Sequence, residues 1–160
     1  QLYDLGFRFY YRFVFQKQAS INTGLGDNVY DQDVKPFLSD YLGYGFEKIC
    51  IQYLVKENLK GNLPIQFTRI GNWWGNNPKE KKEEEIDIMA DDNMNLIIGE
   101  CKYKNEKVEF SILQQQIERS KLFPKYKNYH YFIFSKSGFD FDVHTVDKAF
   151  HCITLEELCK

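Results

Sequence analysis

The order of apolar and polar residues along the chain predicts an alternation of helices and strands. Between Val29 and Lys60, apolar residues recur at i, i+3, i+4 and i+7, the spacing of an amphipathic helix. We expect two helices there, with a break near Gly43-Tyr44-Gly45 and a stop at Lys60-Gly61-Asn62. The apolar positions are Val34, Phe37, Leu38, Tyr41, Phe46, Ile49, Cys50, Tyr53 and Leu54.

Later apolar runs predict a sheet. Residues 64–74, 85–88 and 129–135 have the pattern of strands, and Leu96-Ile97-Ile98 is a continuous apolar run, typical of a strand buried on both faces. Residues 108–123 return to helical spacing after a short link, as in an α/β unit. The predicted order is therefore α-β-β-β-α-β, and its third strand is central and ends in Glu100-Cys101-Lys102.

The aromatic opening, residues 7–15, fits a buried helix or a strand by its pattern alone, and we favour a short helix packed on the body. Residues 1–62 are expected to form a helical segment on a sheet core of residues 63–160, within a single structural domain. Because the chain opens on Gln1 rather than Met, we expect it to be a piece of a longer protein.

The strands at 85–88 and 99–102 predict a hairpin. Successive side chains of a strand point to opposite faces, so Glu100 and Lys102 share one face and Cys101 points to the other. On the first strand, the same alternation is expected to place Ile86 and Ile88 on one face, and Glu85 and Asp87 on the other.

A turn centred between residues 93 and 94 places Asp87 opposite Glu100 and Glu85 opposite Lys102. Directly opposed residues have Cβ atoms about 5 Å apart, and two like charges at that distance are unfavourable unless a cation lies between them or one carboxylate is protonated. A divalent metal is the simplest resolution. A plain cross-strand ion pair between Glu85 and Lys102 is the competing interpretation.

Glu47 offers a further carboxylate from the second predicted helix, where it lies in the first turn. A glutamate at that place is stabilised by the helix dipole, so its position alone does not require a role in a site. Both explanations stay open at this point.

Composition limits the class of protein. The chain has 160 residues, of which 43% are apolar, and it is globular. Its formal net charge of -2 argues against bulk attraction to nucleic acid, although seven basic residues could form a local basic surface or simply a solvated face. They are Lys102, Lys104, Lys107, Arg119, Lys121, Lys125 and Lys127.

The cysteines and the longest apolar runs point to a cytoplasmic protein. The four cysteines lie far apart and lack the spacing of a zinc site or of a disulfide framework, which favours reduced thiols. None of the apolar runs approaches the about 18 residues that cross a bilayer, so we expect no membrane contact.

Five blocks of the chain, in this order, resemble the C-terminal domain of prokaryotic DEXX-box (AAA+-type) ATPases, and Asp87 with Glu100-Cys101-Lys102 resembles the PD-(D/E)XK nuclease motif. The resemblance covers nearly the whole chain, and five ordered blocks are far more specific than the short motif. The blocks are Tyr11-Arg12-Phe13-Val14-Phe15, Arg69-Ile70-Gly71-Asn72-Trp73-Trp74, Glu85-Ile86-Asp87-Ile88, Gly99-Glu100-Cys101-Lys102 and Phe134-Ser135-Lys136-Ser137-Gly138-Phe139.

The resemblance implies a restriction-endonuclease-like three-layer α/β fold with a central mixed β-sheet, and a site with four catalytic residues. Asp87 and Glu100 would bind Mg²⁺ or Mn²⁺, with the backbone carbonyl of Cys101 as a further ligand and Glu47 bound through water. Lys102 would orient the attacking water and stabilise charge on the phosphate. Either Gln115 or Gln116 could assist from the following helix.

The function implied is that of an Mg²⁺-dependent endodeoxyribonuclease, which hydrolyses DNA phosphodiester bonds and is attached to an upstream ATPase domain in the same polypeptide. The alternative is a catalytically inactive module of the same fold that binds DNA or a protein partner and regulates the ATPase. Fold membership does not decide between them, because function depends on the site. The sequence leaves homo-oligomer formation open.

Overall fold

The computed structural model describes residues 4–78 and 81–159, in two compact units, one up to Gly45 and one from Phe46 on. The single domain expected for residues 1–62 and 63–160 stays a prediction. The helices are α1 (Leu5–Phe9), α2 (Gln18–Ser20), α3 (Gly26–Val29), α4 (Lys35–Lys60), α5 (Ser111–Ser120) and α6 (Leu155–Leu158). The strands are β1 (Arg69–Asn77), β2 (Lys82–Asp91), β3 (Asn95–Lys102), β4 (Asn128–Ser135) and β5 (Phe150–Thr154).

The first unit is helical, as the preference for a helix at residues 7–15 predicted. After α1, single π-helical turns follow at Tyr10–Val14, Ile21–Leu25 and Tyr30–Val34. Its small core contains Phe13 and Tyr41, whose ring centroids lie 5.6 Å apart in an edge-on contact. Edge-on aromatic pairs of this kind add to the free energy gained by burial.

The prediction of two helices between Val29 and Lys60 is wrong, because α4 continues through Gly43-Tyr44-Gly45 without a break. A Cβ atom at residue 45 would lie 3.3 Å from Leu5 Cδ1, so this glycine allows close packing of α1. Each glycine costs about 1 kcal/mol in a helix interior, and the burial of apolar residues on α4 offsets that cost. The predicted stop is confirmed, since Gly61 has φ 74° and Asn62 N–H donates to the Glu57 carbonyl at 3.0 Å.

The second unit contains one mixed five-stranded sheet in the order β1-β2-β3-β4-β5. The β1-β2 and β2-β3 pairs are antiparallel, whereas β3-β4 and β4-β5 are parallel. The predicted central position of the 96–102 strand is therefore confirmed. The first strand begins at Arg69 rather than at residue 64, because the Asn58 side chain takes both backbone hydrogen bonds of Phe67, at 3.0 and 3.1 Å.

Helices cover both faces of this sheet. On one face, Phe46, Cys50 and Leu54 of α4 form a core with the alternating residues of the strands. On the other face, Ile112 and Leu113 of α5 pack against β4. The predicted three-layer α/β architecture and the order α-β-β-β-α-β are confirmed. Across residues 4–78 and 81–159, none of the helices has both the length and the apolar character needed to span a bilayer.

Candidate functional site

The ladder between β2 and β3 has the predicted register. Ile88 lies opposite Gly99, and Asp91 lies opposite Leu96. A side chain at residue 99 would place its Cβ 2.9 Å from the Ile88 Cβ, so only glycine allows the two strands to approach this closely. The pairing ends at Ile88 and Gly99, which leaves Asp87 and Glu100 just beyond the last pair.

A β-bulge in β2 changes the alternation that was expected for its side chains. Gly71 pairs with Met89 and Trp73 with Ile86, so Asn72 of β1 faces two residues, Asp87 and Ile88. The prediction that Ile86 and Ile88 share a face is therefore wrong: Ile88 packs in the α4-side core and Ile86 in the core on the α5 side.

The bulge directs the Asp87 carboxylate to the end of the ladder. Its Oδ2 atom accepts a hydrogen bond from the backbone N–H of Cys101 at 2.7 Å. Burial and the nearby Glu100 charge raise the pKa of Asp87 to about 6, against the opposing effect of that hydrogen bond and of Lys102. The charged form of Asp87 is therefore disfavoured in the fold, and a nearby cation would stabilise it.

Glu47 lies in the interior of α4, about three turns from either end, so the explanation by the helix dipole is wrong. Burial raises the pKa of Glu47 to about 7, with further increases from the charges of Asp87, Glu85 and Glu100. The structure therefore brings this predicted site residue into electrostatic range of the two predicted ligands on β2 and β3.

Glu100 is 4% exposed and lies on the α5 side of the sheet. Lys102 forms an ion pair with its Oε1 atom, which confirms that these two residues share a face. The competing interpretation paired Lys102 with Glu85, but Glu100 is the carboxylate that it contacts. Cys101 packs into the core on the α4 side, as predicted from strand alternation.

Two residues of α5 complete the surroundings of Glu100. Gln116, rather than Gln115, donates to Glu100 Oε2 at 3.1 Å, and its own Oε1 atom is buried without a partner among the described residues. Arg119 also donates to Glu100 Oε2 and forms an ion pair with Glu84 at 3.4 Å. Burial alone would lower the pKa of Arg119, but the charges and hydrogen bonds of Glu100 and Glu84 raise it.

Sequence reasoning missed Arg119 as part of this cluster and assigned it to a basic surface. The available signal was its spacing, since residues three apart lie on one face of a helix and Gln116 was already a candidate. The missing information was the distance from that face to the end of β3, which only the packing of α5 determines.

The chemistry of these side chains fits a hard divalent cation. Glu47 and Asp87 offer carboxylate oxygens, which Mg²⁺ and Mn²⁺ prefer, and both have a raised pKa that a cation would reverse. Both oxygens of Glu100 contact donors of the chain itself, so a cation bound there competes with Lys102 and Arg119. Within the part of the chain that the structure describes, no three acidic, histidine or cysteine side chains are preassembled as metal ligands.

Comparisons with known proteins give a family and one relative. A family model, DUF234, described as archaeal and bacterial proteins of unknown function, matches residues 10–122. An uncharacterized protein of Methanocaldococcus jannaschii is 33% identical over 101 residues, which make up 62% of this chain and 21% of that protein. The chain thus spans about a fifth of the length of that relative. No solved structure matches the chain significantly.

Proposed function

Because this chain belongs to the DUF234 family, which is the C-terminal part of DEXX-box ATPases, we propose that it is a metal-dependent nuclease-like domain. The proposed reaction is the hydrolysis of DNA phosphodiester bonds. The main support is the convergence of Glu47 and Asp87, both with a raised pKa, on the strand end that bears Glu100 and Lys102. The upstream ATPase domain of the same cytoplasmic polypeptide is the proposed partner.

In this proposal, Asp87, Glu100 and the Cys101 carbonyl would hold Mg²⁺ or Mn²⁺, and Glu47 would assist through a bound water. When bound, the cation lowers the pKa of a coordinated water and polarises the phosphoryl oxygen. Asp87 is fixed for this role, because the Cys101 N–H holds one of its oxygens at 2.7 Å and the bulge sets its direction.

Lys102 lies where it could orient the attacking water and stabilise charge on the phosphate. Its ammonium contacts Glu100, is partly exposed, and lines a cleft beside the end of β3. A phosphate oxygen that enters from the cleft could accept a hydrogen bond from this ammonium, and the same group could orient the attacking water. Lysine binds phosphate as a compact point charge, which suits a site that must tolerate different sequences.

A second candidate function is a non-catalytic module that binds DNA or a protein and regulates the ATPase. The observation in its favour is that Lys102, Arg119 and Gln116 together satisfy both oxygens of Glu100. Glu100 therefore has its compensating charge within the chain, and a buried ion pair of this kind can have a purely structural role.

Plasmid nicking by the full-length protein tests the proposal. Wild type should nick supercoiled DNA with Mg²⁺ or Mn²⁺, whereas Asp87→Asn and Lys102→Met should lose at least about a hundredfold in rate, the size typical of a lost catalytic group. Asparagine keeps an acceptor for the Cys101 N–H, so the fold should survive. Lys121→Met, which removes an exposed lysine paired with Glu118, is the control and should nick like wild type.

Equal rates in all four proteins would show that a contaminant cuts the DNA and would refute hydrolysis by this site. Calorimetric titration with Mn²⁺ separates the two candidate functions. Binding that Asp87→Asn abolishes supports the metal site, whereas absence of both binding and nicking in the wild type supports the non-catalytic module.

A further inference from the structure

The loop that follows β3 and the turn that follows β4 are held together by five hydrogen bonds, one of which runs from Lys136 Nζ to Asn105 Oδ1 at 2.8 Å. Lys136 N–H donates to the Lys102 carbonyl at 3.0 Å, and Ser137 Oγ donates to the Lys104 carbonyl at 2.6 Å. Val108 then exchanges two backbone bonds with the turn, donating to the Gly138 carbonyl at 2.9 Å and accepting from Asp140 N–H at 3.1 Å. The loop is therefore fixed by backbone contacts although most of its side chains are exposed.

The turn after β4 depends on a glycine. Gly138 has φ 80°, a conformation that other residues rarely adopt, and its carbonyl accepts both the Ser135 hydroxyl at 2.8 Å and the Val108 N–H. One of the sequence blocks noted above, residues 134–139, thus has a structural purpose that is separate from the acidic cluster: it holds the loop after β3 in place.

This loop forms a cleft of about 270 Å³ next to the end of β3. Lys102, Lys104 and Lys107 line it together with Glu106 and Glu109. Lys104 and Lys107 are exposed, and within residues 4–78 and 81–159 neither forms an ion pair. Their charge is therefore available to a ligand, unlike that of Lys121, which pairs with Glu118 at 2.6 Å.

An exposed aromatic residue adjoins the cleft in the chain. Phe110 lies between two lining residues, Glu109 and Ser111, and is 60% exposed. Its ring meets Phe141 edge-on, with centroids 5.4 Å apart and an interplanar angle of 89°. The contact restrains the orientation of the ring, and its exposure leaves ring surface for a planar ligand.

We infer that this cleft binds single-stranded DNA, with Lys104 and Lys107 on the phosphates and an unpaired base stacked on Phe110. Lysines beside an exposed aromatic ring are the combination that single-strand binding proteins use, because every base has a face that can stack. A base within a duplex cannot reach the ring without leaving its own stack. The inference rests on the proposed DNA function and adds the form of DNA bound next to Lys102.

Fluorescence anisotropy of a labelled oligodeoxythymidine of twenty nucleotides tests the inference on the full-length protein. The binding is measured in EDTA, at 50 mM and at 200 mM salt. The wild-type protein should bind the single strand more tightly than a duplex of the same length, and its affinity should fall as the salt concentration rises. Lys104→Glu/Lys107→Glu should lose at least about tenfold in affinity. The Phe110→Ala variant should lose about tenfold in affinity for the single strand and little affinity for the duplex, as expected for one lost stacking contact.

The matched control is Lys127→Glu/Lys148→Glu, which changes the net charge equally. Both lysines are exposed, and Lys127 precedes β4, about 25 Å from the cleft at the strand's other end. This variant should bind within about twofold of wild type. Circular dichroism should show that all variants are folded.

Equal losses in the cleft and control variants, wild-type affinity in Phe110→Ala, or no binding by the wild type at 50 mM salt would each overturn the inference. Because EDTA removes divalent cations, binding is measured apart from hydrolysis. Cleft-dependent binding without any nicking would refute hydrolysis alone, and nicking that the Lys104→Glu/Lys107→Glu variant retains in full would refute this cleft alone.

Discussion

The carboxylates on the two sides of β3 differ in how the chain compensates their charge. On the α5 side, Glu100 is almost fully buried and contacts Lys102, Arg119 and Gln116. On the α4 side and at the bulge, Glu47 and Asp87 are partly buried close to other acids, and both have a raised pKa. Among these three carboxylates, Glu100 forms ion pairs with described residues, Lys102 and Arg119, whereas the nearby cations do not offset the burial of Glu47 and Asp87.

The difference shows that a cluster of acids can serve two purposes within a few residues. A carboxylate with its own cations is part of the structure, because removal of a partner leaves a buried charge. A carboxylate without one is unstable as an anion and gains from an external cation or a proton. Substitutions on each side of β3 should therefore change stability and metal binding differently.

Removal of Arg119 should have the largest effect. Arg119→Met leaves Glu100 buried with one cation fewer, and the free energy of unfolding should fall by about 3 kcal/mol. Urea denaturation measures the change. Lys121→Met, at the C-terminal end of the same helix but in an exposed pair, should cost less than about 1 kcal/mol. A similar loss of unfolding free energy in both variants would mean that the ion pairs of Glu100 stabilise the fold no more than an exposed pair does.

Gly99→Ala tests the close approach of β2 and β3 beside the cluster. The added Cβ would meet the Ile88 Cβ at 2.9 Å, so the strands must shift, at a cost of about 2 kcal/mol. Thermal unfolding at pH 7 measures it. Gly71→Ala is the matched strand variant, because a Cβ there has no described atom within 4 Å, and it should leave stability nearly unchanged. An unaffected Gly99→Ala protein would argue against the tight register.

Mn²⁺ should stabilise the protein by about 1.4 kcal/mol at pH 8 when present at ten times its dissociation constant. The gain should shrink at pH 5.5, because Glu47, with a pKa of about 7, and Asp87, with a pKa of about 6, must then release protons to bind the cation. Thermal melts with and without Mn²⁺ report the shift. A shift that persists in Asp87→Asn would place the cation elsewhere.

Glu47→Gln in EDTA should have the smallest effect, and its sign depends on pH. The folded-state pKa of about 7 exceeds the ordinary 4.5, so the charged side chain destabilises the fold increasingly from pH 4.5 to 7 and fully above that. The variant should gain about 1 kcal/mol at pH 8, since solvent still reaches the half-buried carboxyl, and nothing at pH 4. Urea denaturation at both pH values measures it.

Glu57→Gln, on the same helix, is the control of opposite sign. The hydrogen bond from Lys60 lowers the pKa of Glu57, so its charge stabilises the fold above the ordinary pKa, and the variant should lose stability at pH 8. A gain in both variants would indicate a general charge effect along α4 rather than a property of Glu47.

The sheet and its central strand could be predicted because they depend on local patterns. The run Leu96-Ile97-Ile98 identified β3, and strand alternation placed Glu100 and Lys102 together. The turn position gave the correct offset of Ile88 and Gly99. These features follow from the apolar pattern, which a sequence records directly.

Other features depend on contacts that no pattern records. The glycines at 43 and 45 read as a helix break, whereas in the fold Gly45 makes room for Leu5. The bulge at Asp87 follows from how β1 pairs with β2, and neither strand has a sequence signal for it. The sequence pattern predicts Arg119 on a basic surface, because its partners, Glu84 and Glu100, lie on two different strands.

The bulge in β2 decides how the strand would respond to a deletion. One extra residue opposite Asn72 decides that Glu84 and Ile86 face α5, because strict alternation back from Ile88 would place both on the α4 side. A single deletion at residue 87 or 88 would therefore remove the bulge and leave Glu84 and Ile86 on their present side. Substitutions in this strand change one side chain at a time. A deletion at this point would instead straighten the strand, so that the bulge that directs Asp87 is lost while the first half of β2 keeps its pairing with β1.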